Sequence, residues 1–298
     1  STFKMLVGLA GMESGIIKHA TSVYCPGHYY LGDHKFNCWK EGGHGTVNFN
    51  TAVQQSCDTY FYTVAERIGI NSYAQMARKF GLGQIHEIGL VGERPGIVPD
   101  PEWKMKRYKQ RWAGGDTINC AIGQGYVLAT PLQLAVMTAR MASGRMVSPR
   151  LAVPPGQENP EFEPMDVKPE LLQRNRDAMS SVCNEPGGTA YSKRIMEPRF
   201  AMGGKTGTSQ VRKIFQRGVK QETIPWEYRH HALFVGFAPV DNPKYAVAVI
   251  VEHGGGGASA AAPVARDVLQ KIQELDEADG KSTPANDAMP SPEGGGQP

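Results

Sequence analysis

Long hydrophobic runs and an excess of one charge are both missing from this sequence. Its best uninterrupted apolar stretch, Tyr245–Val251, has the length of a β-strand and is far shorter than the roughly 20 residues that cross a bilayer. The 32 basic and 29 acidic side chains give a net charge of only +3, which argues against a nucleic-acid-binding domain. No signal peptide opens the chain, because the first residues lead directly into a helical pattern. We therefore expect the chain to be cut from a longer protein, with any anchor or export signal upstream.

Cysteine is scarce as well. There are five cysteines among 298 residues, and an odd number is a poor basis for a disulfide framework. The content of 40% hydrophobic and 20% charged residues is typical of a globular protein. We predict one domain over residues 1–276. Residues 277–298 are rich in proline, glycine and serine and contain no aromatic residue, so we predict a disordered tail there.

Hydrophobic spacing predicts a helix-rich domain that ends in two strands and a closing helix. Periods near those of an α-helix predict helices over 3–12, 50–68, 72–80, 131–141, 170–182 and 263–275. Two short apolar runs, 232–238 and 245–251, predict adjacent antiparallel strands of a covered sheet. The stretches 15–45 and 81–115 carry neither pattern and are predicted to be loops. This order indicates a sheet packed against a large helical cluster.

Three short segments combine hydroxyl and amine side chains as acyl transfer requires. Ser1 and Lys4 stand three positions apart at a helix start and therefore share one face. Ser56-Cys57-Asp58 precedes a helix and offers a second hydroxyl with a carboxylate beyond it. Lys205-Thr206-Gly207-Thr208 stands ahead of the two apolar strands. Each segment alone arises by chance, but all three in this order form the set typical of serine β-lactamases and penicillin-binding proteins.

On these motifs the chain resembles the transpeptidase domain of class B penicillin-binding proteins, most closely the penicillin-binding protein 2 branch of the elongation machinery. The resemblance covers residues 1–275 and extends to Gly42-Gly43-His44-Gly45, Trp103-Lys104-Met105-Lys106-Arg107, Gly115-Asp116-Thr117, Ile122-Gly123-Gln124-Gly125-Tyr126 and Gly254-Gly255-Gly256-Gly257. One position departs from the family at large, which favours asparagine where Asp58 stands. Aspartate is common there in the penicillin-binding protein 2 branch, so the departure favours that branch.

The resemblance implies a fold and a set of residue roles. The fold is α/β, the penicillin-recognising serine-enzyme fold, with a five-stranded antiparallel sheet flanked by helices, an all-helical subdomain and a cleft between them. The implied roles are acylation for Ser1, general base for Lys4, proton relay for Ser56, support of this network for Asp58 and Lys205, and binding of the substrate carboxylate for Thr206 and Thr208, which flank Gly207.

The general base must be an uncharged amine. Lysine has an ordinary pKa near 10.4, and lowering it by about three units costs roughly 4 kcal/mol. The charge of Lys205 and a desolvated cleft both act on Lys4 in that direction. The oxyanion is expected between the backbone N–H groups of residues 1 and 208. Because Ser1 opens this sequence with a free amine in place of an amide, we expect the fragment to be poorly active.

Cys25, Cys38, His44 and Cys57 form a second group, since three thiols and one imidazole match the ligand set of structural zinc. The loop to which they belong has no core of its own, and a metal stabilises such a loop. We predict a zinc ion here, behind the serine of the second motif. Two alternatives stay open: a Cys25–Cys38 disulfide with a buried Cys57 thiol, or unpaired thiols. Side chains that could replace a ligand are His28, His34 and Asp33.

The leading hypothesis from the resemblance is a peptidoglycan D,D-transpeptidase. Such an enzyme acylates its serine with a stem peptide ending in D-Ala-D-Ala, releases D-Ala and passes the acyl group to an amine of a neighbouring stem. β-Lactams mimic the dipeptide and trap the serine. The alternatives are a serine β-lactamase or D,D-carboxypeptidase, which uses water as acceptor, and a non-catalytic penicillin sensor. An N-terminal nucleophile hydrolase, with the Ser1 amine as base, is disfavoured by the Lys205 motif.

The same resemblance implies partners and a location. The partners are a RodA-type glycosyltransferase and rod-complex proteins of the MreC type, with no nucleic acid and no organic cofactor. The location is the periplasm, with the parent protein anchored in a bacterial inner membrane.

Overall fold

The structure of the protein is a computed structural model that describes residues 1–18, 20–153, 160–211 and 223–280. Its helices are α1 (Lys4–Glu13), α2 (Phe49–Gln54), α3 (Asp58–Lys79), α4 (Pro101–Tyr108), α5 (Gly114–Ala121), α6 (Pro131–Ser143), α7 (Pro169–Asn184) and α8 (Ala262–Ala278). Its strands are β1 (Ser22–Cys25), β2 (His28–Leu31), β3 (His34–Asn37), β4 (Gly45–Asn48), β5 (Gly203–Ser209), β6 (His231–Ala238) and β7 (Tyr245–Val251). In these described ranges, no helix combines the length and apolar character that a membrane crossing requires.

The main sheet consists of β5, β6 and β7, all antiparallel, with β6 in the middle. Residues of β6 are mostly buried, and α6, α7 and α8 pack against the sheet. The predicted pair of adjacent antiparallel strands under a cover of helices is therefore confirmed. Strand β5 carries the third motif at one edge of this sheet, where Lys205 pairs with Val235 of β6.

Helix α1 lies at the centre of the helical part of the domain. All its residues from Lys4 to Met12 are buried, and α2, α3 and α7 contact it. Gly8 permits this packing, because a Cβ atom there would lie 2.3 Å from the ring of Phe49 on α2. A helix buried on every side tolerates a charged residue only where that charge has partners. Lys4 therefore belongs to a polar site inside the domain.

A break between two helices positions the second motif. The pattern over 50–68 predicts one helix, but α2 ends at Gln54 and α3 begins only at Asp58. Ser56 lies in this junction with a φ of 56°, a left-handed conformation that is uncommon for a residue other than glycine. Helix α3 then continues past the predicted break, with a kink at Gly69, whose φ is 73°. The predicted helices over 3–12, 131–141, 170–182 and 263–275 are confirmed.

Both stretches predicted as loops contain regular structure. Residues 15–45 include β1, β2 and β3, which pair as β1 with β4 and β2 with β3. Each of these strands has only four residues, so no apolar run reveals them. Residues 81–115 include α4 and the start of α5. Pro101 is a helix start here: it follows the cap Asp100 and occupies the first turn of α4, where proline is favoured.

The strand number implied by the resemblance is wrong for the described residues, in which the main sheet has three strands and not five. The four short strands β1 to β4 form two separate two-stranded ribbons. Helix α8 runs to Ala278, two residues into the predicted tail. The rest of that prediction, residues 281–298, lies outside the described residues.

Candidate active site

The three motifs meet at one cleft although long stretches of sequence separate them. Ser1 precedes α1, Ser56 lies between α2 and α3, and Thr206 to Thr208 belong to β5. The cleft has a volume of about 660 Å³, and its lining includes Ser1, Trp39, His44, Ser56, Asp58, Gln124, Thr189, Thr206, Gly207, Thr208 and Gly257. Two predicted site residues, Lys4 and Lys205, are completely buried beneath it.

The hydroxyl of Ser56 lies between two lysine amines. Lys4 Nζ donates to Ser56 Oγ at 3.1 Å, to Ser56 O at 2.9 Å and to Asp58 Oδ1 at 2.6 Å. Lys205 Nζ donates to Ser56 Oγ at 2.9 Å and to the Thr206 carbonyl at 3.0 Å. We call Lys4, Ser56, Asp58 and Lys205 the lysine–serine network. It provides a continuous hydrogen-bonded path from one amine to the other.

The two lysines of this network differ in their charge environment. Lys4 forms an ion pair with Asp58, with 2.6 Å between Nζ and Oδ1. Lys205 has no such contact; burial first, and then the charge of Lys4, hold its pKa well below the ordinary value, although Asp58 acts weakly in the opposite direction. The surroundings of Lys205 therefore disfavour its charged form. The expectation that Lys4 is uncharged stays a prediction, and the structure shows that Asp58 contacts Lys4.

Ser1 lies at the cleft, close to β5. Gly207 permits the close approach, because a Cβ atom there would lie 3.1 Å from Thr2 Cγ2 and 3.2 Å from Leu233 Cβ. Lys4 Nζ directs its hydrogen bonds to Ser56 and Asp58, and not to the Ser1 hydroxyl. The oxyanion site at residues 1 and 208 stays a prediction.

Three residues of the cleft were not identified from the sequence as parts of the site. Thr189 Oγ1 lies 2.8 Å from Thr206 Oγ1. Gln124 Nε2 donates to the Thr208 carbonyl at 3.1 Å, and Gln124 does lie in a segment that carries the family resemblance. Trp39 donates its backbone N–H to Asp58 Oδ2 at 2.8 Å. Neither Thr189 nor Trp39 belongs to a motif, so only their spatial neighbours reveal them.

The four predicted metal ligands also come together. Their ligand atoms all lie within 4.8 Å of one another, and we call Cys25, Cys38, His44 and Cys57 the cysteine cluster. His44 Nδ1 is 3.5 Å from the sulfur of Cys25 and 3.5 Å from that of Cys38. Cys57 is the residue between Ser56 and Asp58, so the cysteine cluster lies directly behind the lysine–serine network.

Of the two open alternatives, the disulfide is not formed in the structure, whereas unpaired thiols agree with it. All five cysteines are free, so Cys25 and Cys38 form no disulfide. The substitute ligands His28, His34 and Asp33 are not members of the cluster. A hydrogen bond with Cys57 lowers the pKa of Cys38 to about 2 and raises that of Cys57. A thiolate is the form of cysteine that binds a metal.

Comparison with known proteins agrees with the motifs. The family described as the penicillin binding protein transpeptidase domain matches residues 1–270. The chain belongs to this family. Among curated members of the family, it is 40% identical over 284 residues to the peptidoglycan D,D-transpeptidase MrdA of Acinetobacter baumannii, covering 89% of this chain and 41% of the relative.

Solved structures of penicillin-binding proteins agree with the fold. The complex between PBP2 and MreC from Helicobacter pylori matches with a TM-score of 0.82 and 35% identity, covering 93% of this chain and 49% of that one. Pseudomonas aeruginosa PBP2 in complex with WCK 5153 matches with a TM-score of 0.81 and 38% identity, covering 93% and 61%. The chain spans less than half the length of the curated relatives it matches, so it corresponds to the transpeptidase domain of penicillin-binding protein 2 homologues.

Proposed function

We propose that this chain is the acyl-transferring domain of a peptidoglycan D,D-transpeptidase, with Ser1 as nucleophile. The observation that carries the proposal is the position of the Ser56 hydroxyl, between the amines of Lys4 and Lys205 and in the cleft that Ser1 lines. Two amines joined by a hydroxyl form a route along which a proton moves. A serine needs such a route, because its hydroxyl is a weak nucleophile until a base removes the proton.

In the proposed acylation step, Ser1 Oγ bonds to the carbonyl carbon of the penultimate D-Ala of a stem peptide. In this proposal Lys4 first passes a proton through Ser56 to Lys205 and then accepts the proton of Ser1. The bond to the terminal D-Ala breaks, and its amine leaves with a proton from the same network. In the second step an amine of a neighbouring stem bonds to the carbonyl carbon of the ester. The bond from that carbon to Ser1 Oγ breaks, and the proton of the amine returns to Ser1 Oγ.

The substrate is proposed to bind along β5. Its terminal carboxylate requires hydrogen-bond donors, and the hydroxyls of Thr206 and Thr208 face the cleft at that edge. The hydroxyl of Thr189 lies 2.8 Å from the hydroxyl of Thr206 and would orient it. Gln124 Nε2 donates a hydrogen bond to the carbonyl of Thr208 and would hold that part of the strand in place. Because Lys205 is buried, the hydroxyls of Thr206 and Thr208 are the groups that would contact the substrate carboxylate directly.

Intact-mass measurement tests the reaction class. The parent protein, incubated with a fluorescent penicillin, is expected to gain the mass of one penicillin per chain, and the variant Ser1→Ala is expected to gain none. Label on Ser1→Ala contradicts the assignment of the nucleophile. Release of the label within seconds indicates water as the acceptor and contradicts a transpeptidase.

We also propose that the cysteine cluster holds a structural zinc ion. In tetrahedral zinc sites, with Zn–S near 2.3 Å and Zn–N near 2.0–2.1 Å, a sulfur and a nitrogen ligand lie about 3.5 Å apart. The two distances from His44 Nδ1 to sulfur, both 3.5 Å, fit this edge. His44 Nε2 is buried without a protein partner among the described residues, so the polar contacts of the ring are directed through Nδ1 into the cluster.

A zinc ion at this position would brace the loop that contains Trp39 against the start of α3. Three thiols and one imidazole fill four coordination positions, which is the pattern of a structural and not a catalytic site. The role of the zinc ion would therefore be to crosslink the segment of residues 25–57. One zinc per chain is the expected metal content of the purified protein, and a folded protein without metal contradicts the proposal.

Partners and location follow by the same similarity. The chain is similar to the PBP2 of a complex with MreC and to part of a peptidoglycan synthase complex that coordinates polymerisation and crosslinking. We infer that the parent protein assembles with an MreC-type protein and a RodA-type glycosyltransferase. Its transpeptidase domain would lie in the periplasm, where the peptidoglycan stems are, with an inner-membrane anchor outside this sequence.

A further inference from the structure

Trp39 makes two hydrogen bonds to the second motif and one to the adjacent residue Gln55, although it is 59% exposed. The indole Nε1–H is directed at the carbonyls of Gln55 and Ser56, both at 3.0 Å. The backbone N–H donates to Asp58 Oδ2 at 2.8 Å. An exposed tryptophan is usually free to change rotamer. This one is held by groups that belong to the catalytic junction between α2 and α3.

The backbone of Ser56 needs such support. Its φ of 56° is in the left-handed region, which costs a residue with a Cβ atom about 1–2 kcal/mol. A conformation of this kind persists only where the surroundings enforce it. The Ser56 carbonyl accepts one hydrogen bond from Lys4 Nζ at 2.9 Å and one from Trp39 Nε1 at 3.0 Å. These two donors act from opposite sides of the active site, one from its buried floor and one from its solvent-facing wall.

We propose that Trp39 is a positioning residue for acyl transfer. Its indole N–H holds the Ser56 peptide in the left-handed conformation that puts the Ser56 hydroxyl between Lys4 and Lys205. Its backbone N–H fixes the Asp58 carboxylate that contacts Lys4. Without the indole bond, the Ser56 peptide relaxes toward an ordinary conformation and Oγ leaves one of the two amines. The proton path is then broken although every catalytic side chain is present. This inference rests on the proposed function.

The indole contributes in two ways that can be separated. Its ring lines the cleft and offers a flat apolar wall to a ligand, whereas its N–H acts on Ser56. Trp39→Phe keeps an aromatic wall and removes the donor. Trp39→Ala removes both. Benzothienylalanine at position 39 keeps the size and shape of the indole and replaces only its N–H by sulfur.

The experiment measures acylation of the parent protein by a fluorescent penicillin and resolves it into the dissociation constant of the first complex and the acylation rate constant. Trp39→Phe is expected to slow acylation about tenfold, as loss of one hydrogen bond to a catalytic junction predicts, with the dissociation constant unchanged. The benzothienylalanine variant is expected to match it. Trp39→Ala is expected to weaken the first complex as well.

Trp112→Phe is the matched control. Trp112 Nε1 donates to Thr117 Oγ1 at 2.8 Å, a bond of the same kind that lies outside the lysine–serine network. The control is expected to lose thermal stability comparably and to keep its acylation rate constant. Full-rate acylation by the benzothienylalanine variant overturns the role of Trp39, as does equal slowing in Trp112→Phe. A wild-type protein that takes no label at Ser1 overturns the proposed function itself, and the role of Trp39 with it.

Discussion

The lysine–serine network and the cysteine cluster are two buried polar groups that lie back to back, and they are completed in different ways. The lysine–serine network joins residues up to 149 positions apart in sequence, and its polar atoms find partners within the protein. The cysteine cluster joins residues of one 33-residue stretch, and its soft ligands converge on one another within 4.8 Å. Their border is the tripeptide Ser56-Cys57-Asp58, in which alternate side chains face opposite groups.

The two groups differ in whether the protein alone stabilises them or a bound metal ion is needed. A buried charge is tolerated when another buried charge and hydrogen bonds compensate it, and Asp58 with Lys4 meets that condition by folding alone. Three thiols and an imidazole at ligand distance gain little from one another, so a metal is what makes their convergence favourable. The first group is expected to respond to substitution of a charge and to pH, and the second to removal of metal.

The largest expected effect is on the lysine–serine network. Lys4→Ala leaves the Asp58 carboxylate buried and without its cation, which is expected to cost about 3–5 kcal/mol of unfolding free energy and to abolish acylation. Chemical denaturation measures the cost. In an Asp58→Asn background the same substitution leaves no unpaired charge, so it is expected to cost at least about 2 kcal/mol less. Equal costs in the two backgrounds would contradict the ion pair.

The corresponding substitution in the cysteine cluster is Cys57→Ser. It is expected to lower the zinc content from one per chain to near zero. At free zinc 100 to 1,000 times the dissociation constant, it should also remove the roughly 3–4 kcal/mol that metal binding contributes. Cys120→Ser is the control, since Cys120 is buried but lies outside the cluster. Elemental analysis measures the zinc content of the two variants, and thermal unfolding with and without a chelator measures their stability. Loss of metal from both Cys57→Ser and Cys120→Ser would contradict the ligand assignment.

The third prediction concerns the pH dependence that comes from Lys205. Its pKa is lowered by burial and by Lys4 in the folded state and is near 10.4 in the unfolded chain, so between these values the unfolded state binds one proton more. Stability contributed by this group therefore rises with pH, by up to about 1.4 kcal/mol per pH unit. Lys205→Met is expected to lose that slope between pH 7 and 9, as measured by urea unfolding.

Lys271→Met is the control for this slope. Lys271 lies on α8 with its side chain 67% exposed, so its removal is expected to leave the pH dependence of wild type. A Lys205→Met protein whose stability changes with pH in parallel with wild type would indicate that Lys205 is charged in the folded state. The proposed route of the proton through Ser56 would then lack its acceptor.

The smallest expected effect tests what surrounds the cysteine cluster. Thr59 Oγ1 lies 3.2 Å from Cys25 Sγ, and Thr59→Val removes that hydrogen bond with little change in volume. Zinc affinity is expected to fall about tenfold, as is usual when a partner of a metal ligand is lost. Thr63→Val is the control on the same helix, because its hydroxyl bonds to the Thr59 carbonyl at 3.0 Å. A competition titration with a zinc chelator compares the two, and equal affinities would show that Thr59 has no role.

Much of the architecture follows from local sequence patterns. The helices over 131–141 and 263–275 and the last two strands could be predicted because their apolar residues repeat with the period of the element. The short strands of 15–45 could not, because four residues are too few for a repeat of apolar positions to stand out. Helix α4 could not be predicted because it begins at Pro101. A proline occurs both in loops and at helix starts, and the residue before it distinguishes the two cases.

The candidate site, like the fold, could be predicted from the sequence only in part. The side chains that carry the chemistry could be identified from the amino-acid sequence, because their hydroxyl, amine and thiol groups occur in the order of a known set. How these groups act on one another depends on the folded arrangement. It placed Asp58 against Lys4 and left Lys205 without a carboxylate, and it directed the indole of Trp39 at Ser56. Charge state and backbone strain depend on distances of a few ångströms between segments far apart in the chain, and no local pattern encodes such distances.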